Sequence, residues 1–203
     1  MYKADTITIP KAAGGSQYAP HPEGQYAAVC VDVIDLGERV DPFPGSPTKV
    51  ARKVALVFAS GEINDATGTL HTVSAEYTAS AHEKASLRQM LESWRGKAYK
   101  EGDLDAGLPL HKLAGQAALI TVEHATSKSG RTFAKLRAVT PVPKQMKDAV
   151  PADLAYDRAP YWQDRKEEYA AGVRKYKQET AAASHDDAPS MDASPDGDDL
   201  PFD

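Results

Sequence analysis

The sequence predicts an all-β domain with one internal helix, followed by a second helix and an acidic tail. Five segments alternate apolar and polar residues with the period of a strand. Between the third and fourth of them, Leu87, Met90, Leu91 and Trp94 recur at helical spacing. Residues 179–203 are dominated by Ala, Ser, Asp and Pro. A chain of 203 residues therefore holds one domain of ordinary size plus appendages.

Three predicted strands come first in the chain. Residues 1–24 contain a glycine pair and three prolines, which predict an extended lead-in. The strands are predicted at Gln25–Leu36, Val50–Ala59 and Thr69–Thr78. The loop 38–48 has three prolines and is expected to be ordered by turns. Short connections between successive strands favour an antiparallel meander.

The internal helix follows the third strand. Ser80 with Glu83 three residues later forms a capping-box pattern, and Gly96 ends the apolar periodicity. These signals predict a helix of about four turns that starts at Ser80. Residues 97–114 are less regular, and a short helical turn closing at Gly115 is expected there.

Two more strands complete the pattern. They are predicted at Gln116–Ala125 and Arg131–Thr140, joined by residues 126–130 as a hairpin in which Gly130 suits positive φ. The order of three strands, a helix and two strands is that of the OB-fold, a five-stranded Greek-key barrel. We therefore predict an OB-fold barrel over residues 25–143.

A second helix is predicted at Tyr161–Gln178, where Pro160 precedes an aromatic and apolar stripe. The favoured interpretation is that this stripe packs back on the domain, and a binding role is the alternative. The residues of the stripe are Trp162, Tyr169, Val173 and Tyr176. The predicted organisation is a lead-in over 1–24, the domain over 25–143, a proline-containing linker and helix over 144–178, and a disordered acidic tail over 179–203.

Composition places the protein in the cytoplasm. No apolar run approaches the roughly 20 residues that span a bilayer, and the N-terminus lacks the apolar core of a signal peptide. The single cysteine, Cys30, excludes an internal disulfide and a cysteine zinc cluster. Because it lies in an apolar run, Cys30 is expected to be a buried small hydrophobe.

The net charge of −5 is distributed unevenly. Residues 1–177 hold 24 bases and 21 acids, a balance of +3, whereas residues 178–203 hold eight acids and no base. A mildly basic body with an acidic tail suggests a domain that binds a polyanion. The tail then contacts a different partner, or shields the binding groove when the groove is empty.

The last residues place one apolar group among carboxylates. Leu200-Pro201-Phe202 follows Asp198-Asp199 and precedes Asp203. Burial of these few apolar atoms cannot offset the entropic cost of ordering the backbone, which is about 1–2 kcal/mol per residue. The tail should therefore be disordered until it meets a partner. A solvated tail without function is the alternative, but a terminal aromatic after a rigid proline argues for a partner-binding tip. The predicted partner-binding residues are Asp198, Asp199, Leu200, Pro201 and Phe202.

This tip resembles the acidic, proline–aromatic ending of bacterial and phage single-stranded DNA-binding proteins. The segments QYAAVCVDVIDLG, EYTASAHEKASLRQMLESWRGK and ITVEHATSKSGRTF are similar to those of phage-encoded members with a single OB domain. The resemblance implies sequence-independent binding of single-stranded DNA during replication or recombination, with the tail recruiting replication proteins. In the bacterial family the phenylalanine is the last residue, whereas Asp203 follows Phe202 here.

The OB-fold prediction locates the DNA site. Its ligands lie across the second and third strands, between the loop joining the first two strands and the hairpin joining the last two. Cations are needed for phosphates and flat rings for bases. The candidate cations are Arg39, Lys49, Arg52, Lys53, Lys128, Arg131, Lys135 and Arg137. The candidate rings are Phe58, Tyr77 and Phe133, and core packing is the alternative for each.

An adaptor and an enzyme are two other functional classes that make different demands on the sequence. An OB-like adaptor of a replisome would contact protein partners without binding DNA itself, and it remains the alternative. An enzyme is disfavoured because the histidines lack metal spacing with carboxylates, and neither a glycine-rich phosphate loop nor a Ser-His-Asp pattern occurs. We therefore expect no catalytic residue, no metal and no cofactor. The oligomeric state stays open.

Overall fold

The computed structural model describes residues 19–41, 48–65, 67–100 and 102–186. All five predicted strands and both predicted helices are present. The elements are β1 (Gly24–Asp41), β2 (Lys49–Ile63), β3 (Leu70–Thr78), α1 (Ser86–Arg95), β4 (Ala117–Thr126), β5 (Thr132–Thr140) and α2 (Tyr161–Asp186). Two 3-10 turns lie at Leu110–Leu113 and Lys144–Ala149. The lead-in up to residue 18, the loop 42–47 and the tail 187–203 with its predicted tip lie outside the described residues.

The five strands form one antiparallel sheet in the order β3-β2-β1-β4-β5. The long strand β1 is central because its first third pairs with β4 and most of its length pairs with β2. The edge strands β3 and β5 approach within 8 Å between Cα atoms, but they are not hydrogen-bonded neighbours. Among the described strands the predicted barrel is therefore an open sheet. Helix α1 contacts both edge strands, and a groove of about 390 Å³ lies among the three elements.

Two β-bulges redirect the side chains of β1. Cys30 pairs with Phe58 and Asp32 pairs with Val57, so Val31 is an extra residue on β1. Strict alternation along β1 would place Cys30 and Ile34 on one face, but the bulge separates them. Cys30 lies in the core beneath α1, whereas Ile34 packs on the opposite face of the sheet.

Each face of the sheet carries a hydrophobic core. The larger core joins the sheet to α1, and Leu87, Leu91 and Trp94 of the helix are buried in it. The second core lies on the other face, beneath α2. It contains Ile34, Leu36, Ala55, Val57, Trp162 and Tyr169. The prediction that the aromatic stripe packs back on the domain is confirmed.

Helix α1 is shorter than predicted. It begins at Ser86 rather than at Ser80, and its N-cap residue Ala85 provides no capping side chain. The Oγ of Ser80 instead accepts a hydrogen bond from the backbone N–H of His82 at 3.2 Å, so it caps a turn that precedes the helix. The predicted C-terminus at Gly96 is confirmed, since Gly96 adopts the left-handed conformation with φ 68°.

Helix α2 is longer than predicted. It continues from Tyr161 to Asp186, eight residues beyond the expected end at Gln178. Residues 179–186, which the sequence assigned to the tail, belong to this helix. Three consecutive alanines at 181–183 explain the extension, because alanine has the highest helix propensity.

Candidate nucleic-acid interface

The hairpin between β4 and β5 presents the most open part of the predicted site. Its turn is held by the backbone N–H of Ser127, which donates to the Arg131 carbonyl at 2.9 Å. The Ser127 Oγ accepts from the Arg131 N–H at 3.0 Å. Gly130 has φ 79°, as the turn prediction required. These contacts place Lys128 and Arg131 at an ordered, exposed tip.

Phe133 lies on β5 next to the hairpin tip, and its side chain is 37% exposed. It is one of three large hydrophobic residues that are exposed in the described part of the chain. Lys128, Arg131 and Lys135 surround it in sequence, and none of the three forms an ion pair with the described residues. An open ring beside cations without carboxylate partners is the combination that a single strand requires.

Arg137 occupies a bulge in β5. Thr121 of β4 pairs with Ala138 and Val122 pairs with Leu136, so Arg137 is the extra residue. Its Nε lies 3.7 Å from an Oε1 of Glu123, and both side chains are more than half exposed. Such a pair contributes little and leaves the guanidinium accessible.

Two candidate cations of β2, Arg52 and Lys53, are paired with carboxylates of β1. Arg52 makes a two-point contact with Asp35, in which its Nε donates to Oδ1 at 3.1 Å. The hydrogen bond from Arg52 holds the pKa of Asp35 below its usual value. Lys53 is only 8% exposed, and its ammonium contacts Asp41 and donates to the Oγ1 of Thr78 at 2.8 Å. The prediction of Lys53 as a DNA contact is corrected, because this charge is buried and paired.

Arg39 is engaged in a contact between β1 and α2. Its Nε lies 3.1 Å from Asp41, and its Nη1 donates to the Tyr169 hydroxyl at 3.2 Å. The guanidinium also lies over the Tyr169 ring, 5.3 Å from the centroid. Lys49 differs from these cations: it is exposed and forms no ion pair with the residues that the structure describes.

Two of the three candidate rings face the interior. Phe58 is 0% exposed and packs edge-on against Trp94, with ring centroids 5.3 Å apart. The prediction that Phe58 stacks on bases is therefore wrong, and its alternative, core packing, is confirmed. Tyr77 packs against the same core, and burial raises its pKa to about 12. Phe133 is the candidate ring that remains open to a ligand.

Helix α2 lies on the face of the sheet opposite to α1. It runs along β1 and packs its side chains against Ala55 and Val57 of β2. It also reaches β3, where Glu76 accepts hydrogen bonds from Arg165 at 3.1 Å and from the Tyr169 hydroxyl. The predicted site is thus divided into a covered part on β1–β3 and an open part on the β4–β5 hairpin.

Sequence reasoning missed a histidine contact that holds the end of the lead-in against β2. His21 is buried, and its Nε2 lies 2.7 Å from the Oγ of Ser60 on β2. Its Nδ1 donates to the Pro22 carbonyl at 2.9 Å, which leaves Nε2 to accept from the serine hydroxyl. Residues this far apart in sequence give no local signal of their contact. Among the described residues, no group of histidine, cysteine or carboxylate side chains could hold a metal ion.

No protein-family model matches the sequence, and no curated protein matches it either. Within the described ranges, neither helix is both long and apolar enough to cross a membrane.

Proposed function

We propose that this chain is a sequence-independent single-stranded DNA-binding protein built on an OB-type sheet. It coats exposed strands during phage DNA replication or recombination, and its tail recruits replication proteins. The strand order around central β1 and the helix between β3 and β4 support the OB-type assignment. The basic body and the acidic tail support a polyanion ligand.

The observation that carries the proposal is the exposed ring of Phe133 among cations that have no carboxylate partner in the described part of the chain. A base stacked on such a ring contributes about 1–3 kcal/mol irrespective of its identity. Lys128, Arg131 and Lys135 supply charge for the phosphates that flank the base. Because neither stacking nor phosphate contact reads base edges, the site binds without sequence preference.

The DNA strand runs along the β4–β5 hairpin and the outer edge of the sheet rather than across the middle of β2 and β3. Arg52 and Lys53 already have carboxylate partners, and α2 covers the neighbouring face. From the hairpin tip, the path continues along β5 past Lys135 to the bulge at Arg137. That bulge borders the groove between α1 and the two edge strands.

The test is a fluorescence-anisotropy titration of a labelled dT oligonucleotide at several salt concentrations. Neutralising Z phosphates should give a slope of about −0.7Z when log affinity is plotted against log salt. Competition with unlabelled duplex should be weak, since a stacked ring needs an unpaired base. Affinity that is indifferent to salt, or that is equal for duplex and single strand, would overturn the proposal.

One observation favours the alternative, an OB-like adaptor that contacts proteins only. Lys53 is buried and paired with Asp41, and the exposed Arg52 is bound to Asp35, so fewer cations lack a partner than the sequence predicts. An adaptor would tolerate the double substitution of Lys135 and Arg137 by glutamine without functional loss. A DNA-binding protein would lose affinity, and the loss would diminish as salt rises.

A further inference from the structure

A second cavity, of about 620 Å³, lies beside the C-terminal end of α1 and away from the hairpin. Its apolar wall comes from α1, from the first 3-10 turn and from the chain after β5. The residues of that wall are Leu91, Trp94, Leu113, Pro141, Val142 and Val150. A volume of this size falls within the range of sites that bind a small ligand or a short peptide segment.

Two cations line the same cavity. Arg95 lies over the ring of Tyr99, 4.0 Å from its centroid, and its Nη2 lies 4.0 Å from the Asp103 Oδ2, so both contacts hold the guanidinium at the helix end. Lys147 lies on the second 3-10 turn, is exposed, and forms no ion pair with the residues that the structure describes. The Trp94 Nε1–H is satisfied by the Ala117 carbonyl at 2.9 Å, so the indole offers its apolar surface. The cavity therefore suits a ligand with apolar groups beside negative charges.

We propose that residues 198–202 of this chain's own tail dock in this cavity. Leu200, Pro201 and Phe202 supply apolar groups for the wall, and Asp198 and Asp199 supply the charges opposite Arg95 and Lys147. The proposal does not depend on DNA binding, because the hairpin is not part of the cavity.

The other segments outside the described residues lack this chemistry. Residues 1–18 carry two lysines and a single aspartate, and residues 42–47 carry no charge. Only the tail alternates carboxylates with an apolar triplet, so charge complementarity selects it. The sixteen residues 187–202 extend up to about 53–58 Å, and this length has to lead from the end of α2, where Lys177 lies beside Glu38, to the cavity.

A nitroxide label on the tail of the full chain tests the docking. Asp203→Cys introduces a reactive thiol, whereas Cys30 is buried and its pKa is raised to about 12 by burial. The chain has two tryptophans, so their indole N–H signals provide a matched pair in one spectrum. Docking broadens the Trp94 indole signal and the Lys147 amide signal, while the Trp162 indole signal stays sharp. Equal broadening of both indoles, or no broadening, would overturn the proposal.

Charge-matched variants separate docking from general attraction. Lys147→Glu and Phe202→Ala should each restore the Trp94 signal in the labelled chain. Lys128→Glu makes the same charge reversal on the hairpin and should leave the broadening of the Trp94 indole signal unchanged. Lys128 and Lys147 are both exposed, so neither substitution should disturb the core. An unchanged Trp162 indole signal checks that each variant is folded. Release of the tail by Lys128→Glu but not by Lys147→Glu would place it on the hairpin and contradict the proposal.

Discussion

Arg158 donates two hydrogen bonds of 2.7 Å to the carboxylate of Asp32. Asp32 lies on central strand β1, and Arg158 lies three residues before α2, so this pair ties the C-terminal segment to the sheet. The Tyr156 hydroxyl donates a third hydrogen bond to Asp32 at 3.2 Å. Burial alone would raise the pKa of Asp32, but the hydrogen bonds from Arg158 and Tyr156 outweigh it and lower the pKa below 3.8.

The first prediction follows from this pKa. A carboxyl whose folded pKa is depressed stabilises the protein above its unfolded pKa, and the stabilisation is lost as pH falls through the folded value. Asp32→Asn should cost about 1–2 kcal/mol at neutral pH, since Arg158 is more than half exposed and partly screened. The substitution should also reduce the fall in the free energy of unfolding that occurs below pH 3.8. Urea unfolding as a function of pH measures both, with the exposed Asp148→Asn as control. An unchanged acid limb would contradict the prediction.

The second prediction concerns the packing of α2. Trp162 is buried against Ile34 and Leu36, so Trp162→Ala should destabilise the protein by about 3–5 kcal/mol. Gln163→Ala, one residue along on the exposed side of the helix, should change stability by less than about 0.5 kcal/mol. Chemical denaturation compares the two variants. If α2 were a detachable appendage, both variants would have the unfolding midpoint of the parent chain.

The third prediction separates stacking from charge at the hairpin. Phe133→Ala should weaken binding of a dT oligonucleotide by about 1–3 kcal/mol with the salt slope unchanged. Lys135→Gln should reduce the magnitude of the slope by about 0.7, the value for one phosphate contact on a single strand. Anisotropy titrations across a salt series measure both quantities. The same change of slope in both variants would argue against a stacked base on Phe133.

The fourth prediction tests the neutralised cations. Arg52→Gln should alter DNA affinity less than Lys135→Gln, because the Arg52 guanidinium is already bound to Asp35 whereas Lys135 has no such partner among the described residues. Both substitutions remove one positive charge, so each serves as the control of the other. Parallel titrations at one low salt concentration suffice. A larger loss of DNA affinity for Arg52→Gln would contradict the prediction and indicate that the DNA crosses β2.

The fifth prediction concerns the acidic tail. Deleting residues 196–203 removes four aspartates and the predicted tip. DNA affinity should stay the same or increase, because a competing polyanion is gone. Capture of replication proteins by the immobilised chain should be lost. Weaker DNA binding after the deletion would contradict the role proposed for the tail, and Phe202→Ala distinguishes the apolar contact from the charge.

Local signals in the sequence were sufficient for the elements themselves. The strands β1–β5 alternate apolar and polar residues, and such a period can be recognised without knowing the partner strand. Gly96 and Gly130 mark the end of α1 and the hairpin turn because both positions need positive φ. The stripe on α2 likewise indicated a helix with one buried side. The false start of α1 at Ser80 arose because a turn uses the same capping chemistry as a helix.

The sequence by itself determined the order and type of the elements and the separation of basic body from acidic tail. Only the tertiary structure decided which charges are paired within the protein and which rings are exposed. Asp35 neutralises Arg52, Phe58 lies in the core, and Phe133 stays exposed on the hairpin. The reason is physical: periodicity depends on neighbours along the chain, whereas bulges, strand register and the docking of α2 depend on contacts between distant residues.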